Sequence, residues 1–157
     1  MDREEFSRRV LACRERLYRV SVAILKREAD AEDATQEALA KAWRALPALR
    51  DERYFETWLI RILINECRRT LRGRARHPFC ELPETLPAPE PPDRALRDAL
   101  DALDVKYRLP LLLHHAEGYT IEETARLLRL PAGAVKGRIR TGAALIRHML
   151  SSGEARK

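Results

Sequence analysis

The stretch Thr120-Ile-Glu-Glu-Thr-Ala-Arg-Leu-Leu-Arg-Leu-Pro-Ala-Gly-Ala-Val-Lys-Gly-Arg-Ile-Arg140 decides the fold. Thr120 and Glu123 stand three apart at the head of an apolar run. That is a capping box: the threonine hydroxyl accepts from the third residue's N–H, and the glutamate reaches back. A short helix to about Leu128 follows. Arg129-Leu130-Pro131 make a turn, with proline suited to open the next helix. That last helix runs to about Leu150, with Val135, Ile139, Ile146 and Leu150 facing inward. Short helix, three-residue turn and longer helix form a helix-turn-helix, and Ala125 is small where the two would cross. Between Thr124 and Gly153 there is no acid, while Arg126, Arg129, Lys136, Arg138, Arg140 and Arg147 are basic. The front of the last helix is where a recognition helix meets the major groove. An ordinary helical hairpin with a basic face is the plainer alternative.

Upstream, Leu96, Leu100 and Leu103 predict one helix, and Leu109 to His115 a second, apolar one that Gly118 stops. Before them lies His77-Pro-Phe-Cys-Glu-Leu-Pro-Glu-Thr-Leu-Pro-Ala-Pro-Glu-Pro-Pro92, with six of the nine prolines of the chain. Proline removes backbone donors and disfavours helix in the residue before it. Residues 77–93 therefore read as a linker between domains at 1–76 and 94–157. Each domain is near the lower size limit for a self-sufficient core.

The first domain also reads as helical. Phe6, Val10, Cys13, Leu17, Val20 and Ile24 recur at helical spacing. Leu39, Ala42, Trp43 and Leu46 repeat the pattern on a second helix, opened near Asp30 by Glu32 and Asp33, where acids suit the helix dipole. Pro47 ends it, and the charged loop Arg50-Asp-Glu-Arg53 follows. A third helix spans about Tyr54 to Arg72. All of Trp58 to Asn65 is apolar except Arg61 and Asn65, and the spacing continues to Arg68 and Arg72 on the same face. Arginine pairs phosphates, asparagine hydrogen-bonds base edges, and aromatics hold unstacked bases. Arg68, Arg69, Arg72, Arg74 and Arg76 crowd the helix end and add charge. A solvated basic helix end, with Trp58 in the core, fits the same residues. The acidic run Glu28, Asp30, Glu32, Asp33, Glu37 contains no base; it suits docking to a basic protein, or simply a helix N-terminus.

Composition agrees with this. The chain has 157 residues and a net charge of +6, with only 6 glycines and 6% aromatics. That is poor for a sheet protein or a glycine-rich nucleotide cradle and points weakly to a polyanionic partner. No stretch approaches the roughly 18 apolar residues that span a bilayer, and Met1-Asp-Arg-Glu-Glu5 lacks a signal peptide's apolar core. A cytoplasmic protein is expected, without membrane insertion. Three cysteines, at 13, 67 and 80, do not make a disulfide framework. His77, Cys80 and Cys67 fall short of a metal site, and His114 and His115 point apart on a helix. No phosphate loop, zincin motif or nucleophile elbow occurs. No cofactor, metal or catalytic residue is expected.

Asp30 to Trp43, Phe55 to Asn65, Gly118 to Ala125 and Pro131 to Arg138, in that order, resemble the extracytoplasmic-function sigma factors, the smallest class of the bacterial sigma-70 family. The resemblance covers nearly the whole chain and implies an all-α, two-domain promoter-specificity factor with no enzymatic activity of its own. It implies that Asp33, Gln36 and Glu37 dock on the clamp helices of core RNA polymerase. It places −10 recognition on Tyr54, Trp58, Arg61, Asn65, Arg68, Arg69 and Arg72, with a non-template base flipped out and held by the loop before the helix. It places −35 recognition on Lys136, Gly137, Arg138, Arg140 and Thr141. The linker, with Glu81, Glu84, Glu90 and Asp93, would thread near the RNA exit path. An anti-sigma factor, often membrane-anchored in the family, is implied as a regulator. The last helix departs from the family pattern at Ala134, Gly137, Thr141 and Gly142, which predicts altered −35 affinity or preference. A stand-alone helix-turn-helix regulator is the alternative function; it would need neither the acidic patch nor the Trp58–Arg72 stripe.

Overall fold

The computed structural model describes residues 1–76 and 94–154. The predicted linker, with His77, Cys80 and its four acids, lies outside the described residues. The chain divides into two compact units, 1–79 and 80–157. All regular structure among the described residues is helical.

The first unit contains α1 (Arg3–Ala12), α2 (Arg14–Leu25), α3 (Glu28–Ala45) and α4 (Phe55–Arg76). α4 packs on both α2 and α3. Leu59, Ile60, Leu63, Ile64 and Cys67 have no exposed surface. Each large aliphatic side chain so buried is worth about 1.5–3 kcal/mol over an exposed one. The periodic run Phe6 to Ile24 is not one helix: the chain breaks at Cys13, whose φ of −107° and ψ of 11° end α1. Cys13 shares its N–H between the Arg9 and Val10 carbonyls, at 3.3 and 3.2 Å. The inward face nevertheless survives, because Phe6, Cys13, Leu17, Val20 and Ile24 are all buried.

The buried face of α3 is corrected more sharply. It is made of Ala31, Ala34, Ala38 and Ala42, while Trp43 is 44% exposed and Leu39 and Leu46 are half-buried. Alanines let the backbone of α3 lie close against α2 and α4, so the large residues are pushed to its flanks. The helix also starts two residues before Asp30, after Lys26 turns left-handed at φ 64° to end α2.

The second unit contains α5 (Arg94–Ala102), α6 (Val105–Leu111), α7 (Ile121–Leu128) and α8 (Ala132–Glu154). In α5 the inward residues are Ala99, with Leu103 just beyond the helix; Leu96 is 41% exposed. The predicted helix Leu109–His115 is instead the end of α6 passing into a π-helical turn, Leu112–Ala116. Pro110, which has no N–H to donate, lies inside α6. Gly118, at φ 79°, ends the turn in the left-handed region that glycine adopts without cost. The capping box forms: Glu123 N–H donates to Thr120 Oγ1 at 3.1 Å, and Thr120 N–H to Glu123 Oε2 at 3.2 Å. Leu130 N–H closes α7 on the Ala125 carbonyl at 3.0 Å around Arg129, left-handed at φ 56°.

Gly142 is a packing residue, because it is buried and a Cβ there would stand 2.8 Å from Leu111 Cδ1 and 3.2 Å from Tyr107 Cβ. α6 and α8 cross closely at this point, and this departure from the family pattern serves the core. A Cβ at Gly137 meets nothing within 4 Å. Gly137→Ala is therefore expected to stabilise the chain by about 1 kcal/mol through helix propensity. Gly142→Ala is expected to destabilise it, since overpacking costs about 1–3 kcal/mol. Thermal unfolding followed by circular dichroism reads both; shifts of the same sign would contradict the assignment.

Candidate nucleic-acid interface

With one side of α4 sealed in the core, most of its polar side chains turn outward. Arg61, Arg69 and Arg72 are exposed, and Trp58, Asn65 and Arg68 half-buried. None of Arg61, Arg69 and Arg72 makes an ion pair with a described residue. The predicted stripe is thus an outward face of positive charge. Trp58 is neither free nor fully in the core; its ring lies 6.0 Å from that of Phe55, tilted by 46°.

Two members of the sequence clusters belong elsewhere. Arg74 does not join the basic face: its guanidinium donates to the Leu25 carbonyl at 3.0 Å and pairs with Asp30. It ties the end of α2 to the start of α3, where an orphan carbonyl needs a donor. Asp30 is correspondingly removed from the acidic patch. Glu66, nearly buried on α4, pairs with Lys41 of α3. What remains exposed of the acidic patch on α3 is Glu28, Glu32, Asp33 and Glu37, with Gln36 exposed beside them and Glu37 3.8 Å from Arg44 in a solvated pair of little energetic weight.

The loop before α4 is more ordered than its charged composition suggests. The Asp51 carboxylate accepts from Arg53 N–H at 3.0 Å and from its guanidinium at 2.7 Å. Tyr54 N–H donates to the Asp51 carbonyl at 3.1 Å. The Arg53 hydrogen bonds hold the Asp51 carboxyl below the usual carboxylate range. This contribution is therefore present above about pH 4 and lost only as pH falls through the lowered value. Tyr54 itself is 59% exposed, with the Arg53 guanidinium 6.0 Å from its ring centre.

A groove of about 410 Å³ between α1–α2 and α3 was not legible in the sequence. Leu11, Leu17, Tyr18, Ala31, Gln36 and Leu39 are among its walls, and Leu11 and Tyr18 are 63% and 51% exposed. Its two sides come from segments that helical periodicity treats separately. On α8, Lys136, Gly137, Arg140 and Thr141 are exposed and Arg138 half-buried, opposite the buried Val135 and Gly142. His114 Nδ1 lies 2.7 Å from the Tyr119 carbonyl, which gives it a partner in the turn before α7. His115 is exposed.

Among the described residues, no group of three His, Cys, Asp or Glu is placed to hold a metal ion, and no helix is long and apolar enough to cross a membrane. Burial pushes the Cys13 thiol up to about 11 and the Cys67 thiol up to about 12. Thiolate is the reactive form. Iodoacetamide at pH 8 is accordingly expected to leave both unmodified in the native protein and to label both in urea, as read by peptide mass spectrometry. Rapid native labelling of either would contradict their burial.

Two helical units, one ending in a helix-turn-helix and the other carrying a basic, aromatic helix face, define a DNA-binding transcription factor. Comparison with known proteins narrows this. Residues 10–77 match Sigma-70 region 2, and residues 93–144 match Sigma-70 region 4. The RNA polymerase sigma-H factor of Pseudomonas aeruginosa is 33% identical, over 88% of this chain and 82% of that protein. The ECF RNA polymerase sigma factor SigM of Mycobacterium tuberculosis is 29% identical, over 95% of this chain and 79% of that protein. The sigma factor RpoE of Bartonella quintana, solved with the anti-sigma factor NepR, shares the fold at a TM-score of 0.82 and 24% identity, covering 94% of this chain and 98% of that one. The chain belongs to the extracytoplasmic-function class of the sigma-70 family. Its function is that class's: binding core RNA polymerase, recognising −10 and −35 promoter elements and assisting DNA melting at initiation.

Proposed function

We propose that the outward face of α4 and the loop before it capture the unstacked non-template strand of the −10 element. The observation that carries this is the division of α4 into a sealed apolar side and an outward side on which Arg61, Arg69 and Arg72 are exposed and Trp58, Asn65 and Arg68 half-buried. Tyr54 and Trp58 supply stacking surfaces. Arg61, Arg68, Arg69 and Arg72 supply phosphate contacts, and Asn65 a base-edge contact. Stacking on Tyr54 and Trp58 requires unpaired bases, so that part of the binding energy favours the open strand over duplex. No catalytic group is needed, and the protein lends specificity to the polymerase without being an enzyme.

Residues 1–76 then dock and open, while 94–157 anchor upstream. Lys136, Gly137, Arg138, Arg140 and Thr141 of α8 face the −35 major groove. Asp33, Gln36 and Glu37 meet a basic surface of core polymerase, and the apolar groove beside Gln36 takes side chains of the same partner. An anti-sigma factor of the kind seen with structural relatives regulates the protein by covering its DNA faces. The site of action is the cytoplasm, where polymerase and chromosome are.

Run-off transcription with purified core polymerase on a pool of genomic promoter fragments tests the reading. Fragment-specific transcripts are expected only when the protein is added. Tight duplex binding without polymerase, and no transcripts, would point instead to a stand-alone regulator. Asn65→Ala is expected to reduce promoter opening by a factor matching about 1–3 kcal/mol while leaving polymerase binding intact; equal loss of both would remove Asn65 from the strand contact. Glu37→Lys is expected to weaken polymerase binding without changing the circular dichroism spectrum. Unchanged binding would move the docking face elsewhere.

A further inference from the structure

We infer that Arg9 of α1 is a positioning residue for strand capture, acting by stapling the turn that presents Tyr54. The inference rests on the assignment of Tyr54 to the −10 strand. Arg9 precedes the region matched by the sigma region 2 family, which begins at residue 10.

One guanidinium joins three elements. Arg9 Nη1 donates to the backbone carbonyl of Glu52 at 2.8 Å, and Nη2 reaches the Glu52 carboxylate at 3.3 Å. Nη2 and Nε also donate to Glu5 Oε1, at 2.7 and 3.2 Å, one helical turn back on α1. The same guanidinium lies 5.9 Å from the ring centre of Phe55, the first residue of α4. Arginine's planar fork suits such simultaneous contacts, and a lysine could not make them all.

Beside it, Phe6 meets Phe55 edge-on at 5.6 Å and Trp43 at 5.1 Å. Arg16 of α2 pairs with Glu56 at 2.5 Å. Within the turn, Asp51 holds Arg53 and Tyr54. Backbone is therefore tied down on both sides of Tyr54, yet the ring stays mostly exposed. A side chain in that state is a preorganised stacking platform: a base landing on it does not have to order the loop first. Glu5 sets the rotamer of Arg9, Arg9 sets Glu52, and the turn sets Tyr54.

The test is a mutant cycle in assembled holoenzyme. The probe is a fluorescent single-stranded non-template fragment of a promoter recovered by run-off transcription. Arg9→Ala is expected to weaken its binding roughly threefold, as befits one partly exposed staple, and Tyr54→Ala roughly tenfold, as for a lost stacking contact. The double variant is expected to bind no more weakly than Tyr54→Ala alone, and core polymerase affinity to stay unchanged. Losses that multiply, or an Arg9→Ala that binds as the parent does, overturn the inference. Multiplying losses with a salt slope lowered by about 1 would mean a direct phosphate contact. If Tyr54→Ala itself binds normally, the strand-capture assignment falls first. Should Arg9→Ala lose polymerase binding, Glu52→Ala, which removes the carboxylate arm together with its 3.4 Å pair to the Met1 amine, carries the same cycle with the same expected non-additivity.

Discussion

Burial of one side of α4 is the constraint on which the first unit depends. Leu59, Ile60, Leu63, Ile64 and Cys67 are sealed against α2 and α3. With that side dry, an unpaired polar residue must face water, as Arg61, Arg69 and Arg72 do, whereas the inward Glu66 is held by Lys41. The interior thus dictates the orientation of the basic face. Truncating Leu63 would cost about 2–5 kcal/mol and loosen the outward basic face proposed to meet DNA. α3 contributes a wall of alanines, which lets it approach closely while its acids stay outside. Arg74 and Lys41 complete the join with pairs to Asp30 and Glu66.

The second unit solves a similar problem differently. α8 is positioned by local chemistry at the start of α7 and in the turn after it, and by close approach further along its own length. The Thr120–Glu123 box fixes where α7 starts. Leu130 N–H on the Ala125 carbonyl fixes where it stops. Gly142 lets α8 pass Leu111 and Tyr107 with no intervening Cβ. A glycine inside a helix costs about 1 kcal/mol against alanine, and here packing explains its presence. Gly137, by contrast, has open space on its side of the helix, and nothing in the packing explains it.

Much of this was legible in the sequence because it is local. The capping box, the Arg129–Pro131 turn, the stop at Gly118 and the alternation along α4 are set by residues within a few positions of one another. What escaped was set by distant partners. Hydrophobicity alone ranks Trp43 and Leu39 above alanine as core residues, yet the space between α3 and its neighbours admits only the alanines. Arg74 looks like its neighbours until Leu25 and Asp30 are brought to it. The break at Cys13 carries no proline or glycine to announce it, and the π-helical turn after Pro110 interrupts a run whose apolar character is continuous. The groove at Leu11 and Tyr18 needs three helices to exist at all.

Placing a photocrosslinking amino acid at position 61, in holoenzyme bound to a promoter with either strand labelled, tests the central claim most directly. The account predicts crosslinks to the non-template strand within the −10 element that appear on promoter opening and are absent from closed complexes. Crosslinks confined to duplex DNA, or to polymerase itself, would contradict it.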